Sequence, residues 1–447
     1  MPEPSNVARG SERTPKRRGR IPVILLVVLG IAVILAVIGA MVWHVLSKDE
    51  PPPDVSDLAV VRLDLPDERN AFAYFEKAAA AMDWPELHEY EPPAGTPADS
   101  EEWEERLVAE FLKRPNEECL RLWEKGMAVG SCQVPEVTGF DHKMPYLKQW
   151  RAMTRLLNAR ATHDFREGRE ALAFDREMRI VEFGRMIQDS GGSVIHYLLG
   201  KHIKNIGLWR IRHWLSKTTL SPEQLLPLVE RLAAYESNRK ALADGYRVEY
   251  QAVAAMVDDV VAGDYEKLGI LGMKQEKRLS RYKFKPNQTK RMYADFIRWL
   301  ISNGSKPRWE WKADLREDVV LLFDAEDDAV RQSMLKGNVM GKMLVSMAGA
   351  ALLRVNSEAC MESWEVRATR AMIALRCYEA RTGELPDNLQ ALVPDYMEEV
   401  PLDPFDGKPL NYSKEEGLIS AASEEYRRRN GSFEISFGPD GEERETP

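Results

Sequence analysis

The sequence predicts a mainly α protein: an N-terminal transmembrane helix, an α-helical outer domain built as helical hairpins or a bundle, and a small α+β module at the C-terminus. Three observations predict it. The 26 residues from Ile21 to Leu46 include no Asp, Glu, Lys or Arg. Through most of 67–381 apolar residues recur at steps of three and four, the period of a helix with one buried face. From Thr382 onward Gly, Pro and Asp recur around short β-prone runs. With 447 residues, 44% of them hydrophobic and 30% charged, the chain has the length for a sizeable core, and this balance excludes a collagen-like, disordered or multi-spanning membrane protein. Four cysteines are too few for a disulfide scaffold.

The apolar run comes first. Its 26 residues would make a helix of about 39 Å, more than the ~30 Å hydrocarbon core of a bilayer. Trp43 and His44 stand where an interfacial anchor is expected. A cleaved signal peptide has a shorter apolar region and a small-residue cleavage site, whereas this run ends VWHVLSKDE. It therefore reads as an uncleaved anchor. Arg17-Arg18 is followed by Gly19-Arg20 and lacks the rest of a twin-arginine pattern.

Orientation follows from the flanks. Arg9, Arg13, Lys16, Arg17, Arg18 and Arg20 precede the span, and Lys48, Asp49, Glu50, Asp54 and Asp57 follow it. Positive charge stays in the cytoplasm, so the expected topology is a single pass through a bacterial inner membrane, N-terminus inside and bulk periplasmic. Residues 1–20 carry +4, which leaves −13 of the formal −9 for the remainder. That acidity argues against nucleic acid as a partner. The lipid bilayer and other envelope proteins are the expected partners.

The remaining elements follow in order. Residues 47–66, with Pro51-Pro52-Pro53, read as an extended spacer between the anchor (21–46) and a helical periplasmic domain (67–381). A first helix is expected over 67–83 and a loop over 85–105. Leu147, Trp150, Thr154, Leu157 and Ala161, then Ala171, Phe174, Met178 and Val181, predict two helices joined at Gly168. This hairpin resembles a single tetratricopeptide-like unit, with no second copy at fixed spacing. Leu220-Ser221-Pro222-Glu223-Gln224-Leu225 combines a capping box, a proline at the first helical position and a hydrophobic staple. The helix it starts is expected to run to Gly263, kinked at Pro227. Further helices are expected at 287–302, 313–336 and 339–381. A module at 382–447 then carries strands near Leu410 to Ser413, Leu418 to Ala421 and Phe433 to Phe437.

The chemistry-bearing residues form no recognisable catalytic set. His196, His202 and His213 lie in one helical region, but separations of six and eleven do not place them on the i, i+4 face of a helical zinc pair. Ser193 follows Gly191-Gly192 without G-x-S-x-G, and neither a phosphate-binding loop nor a dinucleotide fingerprint occurs, so no nucleotide is expected. Cys119 and Cys132 flank a short segment containing Gly126 and Gly130, which makes them a candidate disulfide; buried free thiols are the other reading. Residues 267–312 hold 13 Lys or Arg against three acids. Lys283, Lys285, Arg291, Arg298, Trp299, Trp309 and Trp311 are the candidate binding residues there, for an anionic polymer or lipid headgroups. The other reading is internal neutralisation by the acids of 314–328.

The stretch GELPDNLQALVPDYMEEVPLDPFDGKPLNYSKEEGLIS, with FGPDG near the end, resembles the C-terminal region of type II secretion major pseudopilins. The longer pattern of anchor, helical region and this tail, with Asn70-Ala71 opening the first helix, is similar to uncharacterised single-pass helical bacterial envelope proteins. The prepilin cleavage motif is missing from the apolar helix, so assembly into a fibre is not implied. The resemblance does imply a calcium loop, for which Asp403, Asp406 and Asp440 are the candidate ligands, although Glu442-Glu443-Arg444 departs from the pseudopilin pattern. Otherwise no cofactor is expected, and turn aspartates are the alternative role for these residues. The expected function is that of a non-enzymatic structural or interaction protein of the envelope, with a secretion association implied by the resemblance. An envelope hydrolase, or an anionic-polymer-binding protein using 267–312, is the alternative.

Overall fold

The computed structural model describes residues 23–83, 101–139, 142–264, 284–311, 337–421 and 435–436. Two compact units divide the chain, Met1–Asp49 and Glu50–Pro447. In the first, α1 (Val23–Ser47) is a continuous 25-residue helix. Its stretch Val27–Val45 is long and apolar enough to cross a membrane, with none of it buried against protein.

The second unit is mainly helical. Its helices are α2 (Ala71–Ala80), α3 (Glu101–Leu112), α4 (Glu117–Val129), α5 (Tyr146–Arg166), α6 (Glu170–Gln188), α7 (Val194–Leu215), α8 (Pro222–Ala233), α9 (Arg239–Ala262), α10 (Pro286–Gly304), α11 (Val339–Ala350) and α12 (Val355–Thr382). Strands β1 (Asn411–Ser413), β2 (Leu418–Ser420) and β3 (Ile435–Ser436) form an antiparallel sheet in that order, with Tyr412 opposite Ile419 and Ile419 opposite Ile435.

Local signals explain most of the boundaries. Asn70 caps α2 by accepting from Phe72 N–H at 3.1 Å, so the helix starts at Ala71 and the acids at 67–69 form a separate short turn. Ser221 and Gln224 form the predicted capping box of α8. The hairpin of α5 and α6 turns at Gly168 as expected. Three expectations differ. The helix expected from 221 to 263 is broken after Ala233, and Asn238 caps α9 by accepting from Ala241 N–H at 3.1 Å. The span expected over 339–381 is two helices parted by a turn at 351–354. α3 begins at Glu101, inside the expected loop. The helix expected at 313–336 lies outside the described residues.

The core forms around α7. Val194 and Tyr197 pack with α9, α10 and α11; Leu199 and Ile203 pack with α2, α4 and α5; Leu208, Ile211 and Trp214 pack with α8 and α12. A helix that packs against neighbours on several sides shows no single apolar stripe, and α7 buries His196, Lys204, Arg210 and Arg212 along with its apolar residues, leaving Ile195 and His202 exposed. Glycines let α6 and α7 approach closely. A Cβ on Gly184 would stand 2.5 Å from Gly200 O, and one on Gly207 would stand 2.8 Å from Glu177 O. A Cβ on Gly200 would in turn meet Gly184 O. Backbone cannot step aside as a flexible side chain does, so Gly200→Ala is expected to destabilise the domain by about 1–3 kcal/mol, read as a lower denaturant midpoint. An unchanged midpoint would show that the hairpin relaxes freely.

Candidate functional site

From Glu50 onward, the stretch expected as an extended spacer is strapped to the helices of its own unit. Glu50 accepts from Arg291 Nε at 2.6 Å, and its carbonyl accepts from Asn287 at 2.9 Å. Asp57 takes two bonds from Arg298, at 2.9 and 2.6 Å, while Asp54 O accepts a third at 2.7 Å. Leu58 is buried in the core beside α9, and Gln251 donates to its carbonyl at 3.0 Å. The Arg298 guanidinium holds the Asp57 carboxyl below its usual range.

Beyond Leu58 the strap leads into a cleft of about 450 Å³. One wall is the strap, with Arg62, Asp64, Leu65 and Asp67; another is α2, with Phe72, Ala73, Glu76 and Lys77; the third is Gln133 to Pro135. Asn70 joins these walls. Its Oδ1 accepts from Gln133 N–H at 2.8 Å, and its Nδ2 donates to Gln133 O at 2.8 Å. Gln133 Oε1 accepts from Leu65 N–H at 3.3 Å, and Arg62 donates to Val134 O at 2.8 Å. Asp64 adopts φ +48, the left-handed region that Asp tolerates better than most non-glycine residues. The cleft thus sets three carboxylates, two cations and an apolar floor at Phe72 on a hydrogen-bonded frame. It suits a polar, extended segment carrying both charges.

The sequence-predicted binding residues do not converge on this cleft. Arg291 and Arg298 face the strap acids and Asp295. Lys285 donates its backbone N–H to Asn338 Oδ1 at 2.8 Å at the start of α10. Trp299 stacks on Phe296, with ring centroids 6.3 Å apart. Trp311 donates to Lys306 O at 3.1 Å under the Arg308 guanidinium. Trp309 is exposed and lies against Gly407, where a Cβ would come within 3.1 Å of its ring. Lys283 and the acids of 314–328 lie outside the described residues.

Asp403 and Asp406 serve their own turn. Asp403 Oδ1 accepts from Phe405 N–H at 2.8 Å and Asp406 Oδ1 from Lys408 N–H at 3.0 Å, the bonding expected of turn aspartates. Asp440 lies outside the described residues, and among the described residues no three His, Cys, Asp or Glu side chains are gathered to hold a metal ion. The candidate disulfide is not formed: Cys119 and Cys132 are free, buried thiols packed in the core of α2, α4 and α5. Burial pushes the Cys119 thiol up to about 12 and Cys132 higher still, as expected for cysteines acting as small apolar side chains.

Two sets of buried titratable groups along α7 are hydrogen-bonded. His196 Nδ1 accepts from Ser193 N–H at 3.0 Å, which leaves Nε2 to carry the ring proton and donate to Tyr146 Oη at 3.0 Å. Ser193 Oγ lies 3.3 Å from Nδ1, but that lone pair is already engaged by the backbone and does not activate the hydroxyl. Burial pushes His196 down to about 4. Glu249 caps the same helix end, accepting from Val194 N–H at 3.1 Å, and burial pushes it up to about 7. Deeper in the core, Glu362 pairs with Lys204 and accepts from Gln188 at 2.7 Å and Tyr197 Oη at 2.6 Å.

These observations define the class: a helical protein whose N-terminal helix is long and apolar enough to span a membrane, with a separate helical unit bearing an open, charged cleft. Against known protein families, curated proteins and solved structures, the chain has no match.

The cleft is not legible in the sequence because its third wall, Gln133 to Pro135, lies 63 positions beyond the Asn70 that it bonds, and Asn70-Ala71 signals only a helix start. Neither Arg62 nor Gln133 belongs to a spaced motif.

Proposed function

We propose that this protein is a single-pass inner-membrane protein, N-terminus inside, whose periplasmic helical domain acts as a non-enzymatic interaction scaffold of the cell envelope. The cleft between the strap, α2 and residues 133–135 is its binding site, and the occupant is a charged, extended segment of another envelope protein. The mixed-charge cleft on its Asn70 frame carries the reading. The apolar length of α1 supports the anchor, and the basic flank before it supports the orientation. The hydrogen-bonding of His196 supports a structural role for that residue over a catalytic one. The pseudopilin-like order of the C-terminal residues supports a place near secretion machinery.

The test is photocrosslinking in intact membranes with a crosslinking residue in place of Ala73. A discrete crosslinked species is expected, weakened by the charge reversals Asp67→Lys and Glu76→Lys. No crosslinked species, or one insensitive to both reversals, would overturn the cleft as the site. A reporter at the C-terminus should be active only outside the cytoplasm; cytoplasmic activity would overturn the orientation.

A further inference from the structure

We propose that residues 59–63 form a dimerisation edge that pairs antiparallel with the same segment of a second copy of this chain. Val61 is 87% exposed and Leu63 67%, the two most exposed large apolar side chains among the described residues outside α1. Ala59 is exposed as well, while Val60 and Arg62 turn inward, so exposure alternates with the two-residue period of a strand. The segment is held in place. Leu58 anchors one end in the core, Arg62 donates to Val134 O, and Leu65 N–H is bound by Gln133. Among the described residues, however, the backbone groups of Val60, Val61 and Leu63 have no hydrogen-bond partner. An ordered, unpaired edge with apolar side chains facing outward is a template for another strand.

The segment's own order selects the occupant. Asp64, at φ +48, and Pro66, which has no N–H, end the edge after Leu63. Pairing about a two-fold axis at Val61 uses all five remaining residues. It sets Val61 opposite Val61, Ala59 opposite Leu63 and Val60 opposite Arg62, so small meets large and no like charges face each other. A register centred on Arg62 would oppose two guanidinium groups. The inference rests on the anchored reading above in one respect: confinement by α1 to one membrane raises the effective concentration of copies, which lets a short edge suffice.

The test uses the full-length protein in membranes. Across the proposed axis the two Cβ atoms at position 61 stand about 4.5–5.5 Å apart, close to disulfide reach. All four native cysteines are buried, so the background is low. On mild oxidation, Val61→Cys should give a disulfide-linked dimer about tenfold or more above that of Val261→Cys, an exposed position on α9. In the same membranes, energy transfer between two fluorescently tagged copies should fall to the level of a non-interacting membrane control on Val61→Lys, a variant whose fold is checked by circular dichroism after purification. Val61→Cys crosslinking no better than Val261→Cys, a dimer that survives Val61→Lys, or capture of a different protein by a photocrosslinker at position 61 would each overturn the pairing. A C-terminal reporter active in the cytoplasm would overturn the topology instead and leave the crosslinking result readable.

Discussion

Replacing Glu362 with leucine should destabilise the domain by about 3–5 kcal/mol, because it strands a buried cation. Lys204 and Glu362 are both fully buried, and the carboxylate also receives Gln188 and Tyr197. Without it, the Lys204 ammonium keeps only Gln188 Oε1 at 3.3 Å. Burial already pushes the Lys204 pKa down, so in the variant the ammonium must either shed its proton or remain charged in the core. The double variant Lys204→Met, Glu362→Leu removes both charges and should recover most of the loss, since an apolar pair of similar volume avoids the desolvation penalty. Denaturant unfolding of the two single variants and the double variant forms the cycle. A double variant as unstable as Glu362→Leu alone would mean that shape, and not charge pairing, holds the residues there.

The second large effect is a pair of opposed pH dependences at the start of α7. The folded pKa of His196 is about 4 against an ordinary 6.5, so the neutral form is favoured by folding. Its stabilisation is present above pH 6.5 and lost as pH falls towards 4. Glu249 runs the other way, about 7 in the fold against an ordinary 4.5. Its contribution is largest below pH 4.5 and is lost as pH rises through 7. Each shift corresponds to about 3 kcal/mol. The stability of the parent protein minus that of Glu249→Gln should therefore rise by about 3 kcal/mol on acidification from pH 7 to 4.5. The same difference taken with His196→Gln should fall by a similar amount between pH 6.5 and 4. Glutamine can still accept from Val194 N–H, so the first comparison isolates the charge. Equal slopes for parent and Glu249→Gln would mean that the carboxylate is solvated.

The local features were legible in the sequence. The capping box at Ser221 and Gln224, the hairpin about Gly168 and the apolar length of α1 depend only on residues within a few positions of one another. The break between α8 and α9 carries one local signal, the cap residue Asn238, while neither Gly nor Pro marks residues 234–238. Tertiary partners hold it open: Arg185 donates to Ala234 O and Glu236 O, Arg367 binds the Glu236 carboxylate, and Ser237 N–H reaches Ser363. These contacts satisfy backbone groups that a continuous helix would have bonded internally.

The basic stretch shows the same division. Its excess of cations was plain in the sequence, and the following acids looked like the natural counterions. Among the described residues, Glu50 and Asp57 pair with Arg291 and Arg298, and Asp258 with Lys290, while the acids of 314–328 lie outside the described residues. Those strap partners lie about 240 positions away in the chain.

The sequence by itself determined that α1 is long and apolar enough to span a membrane, and it determined the helical class of the rest, because period and hydropathy are local. Only the tertiary structure decided that the spacer is a strap, that His196 caps a helix, and that Arg62, Asn70 and Gln133 build a cleft. Each of these depends on which distant group supplies a hydrogen bond or a counter-charge once the chain is packed. Such partnerships leave no periodic trace along the chain.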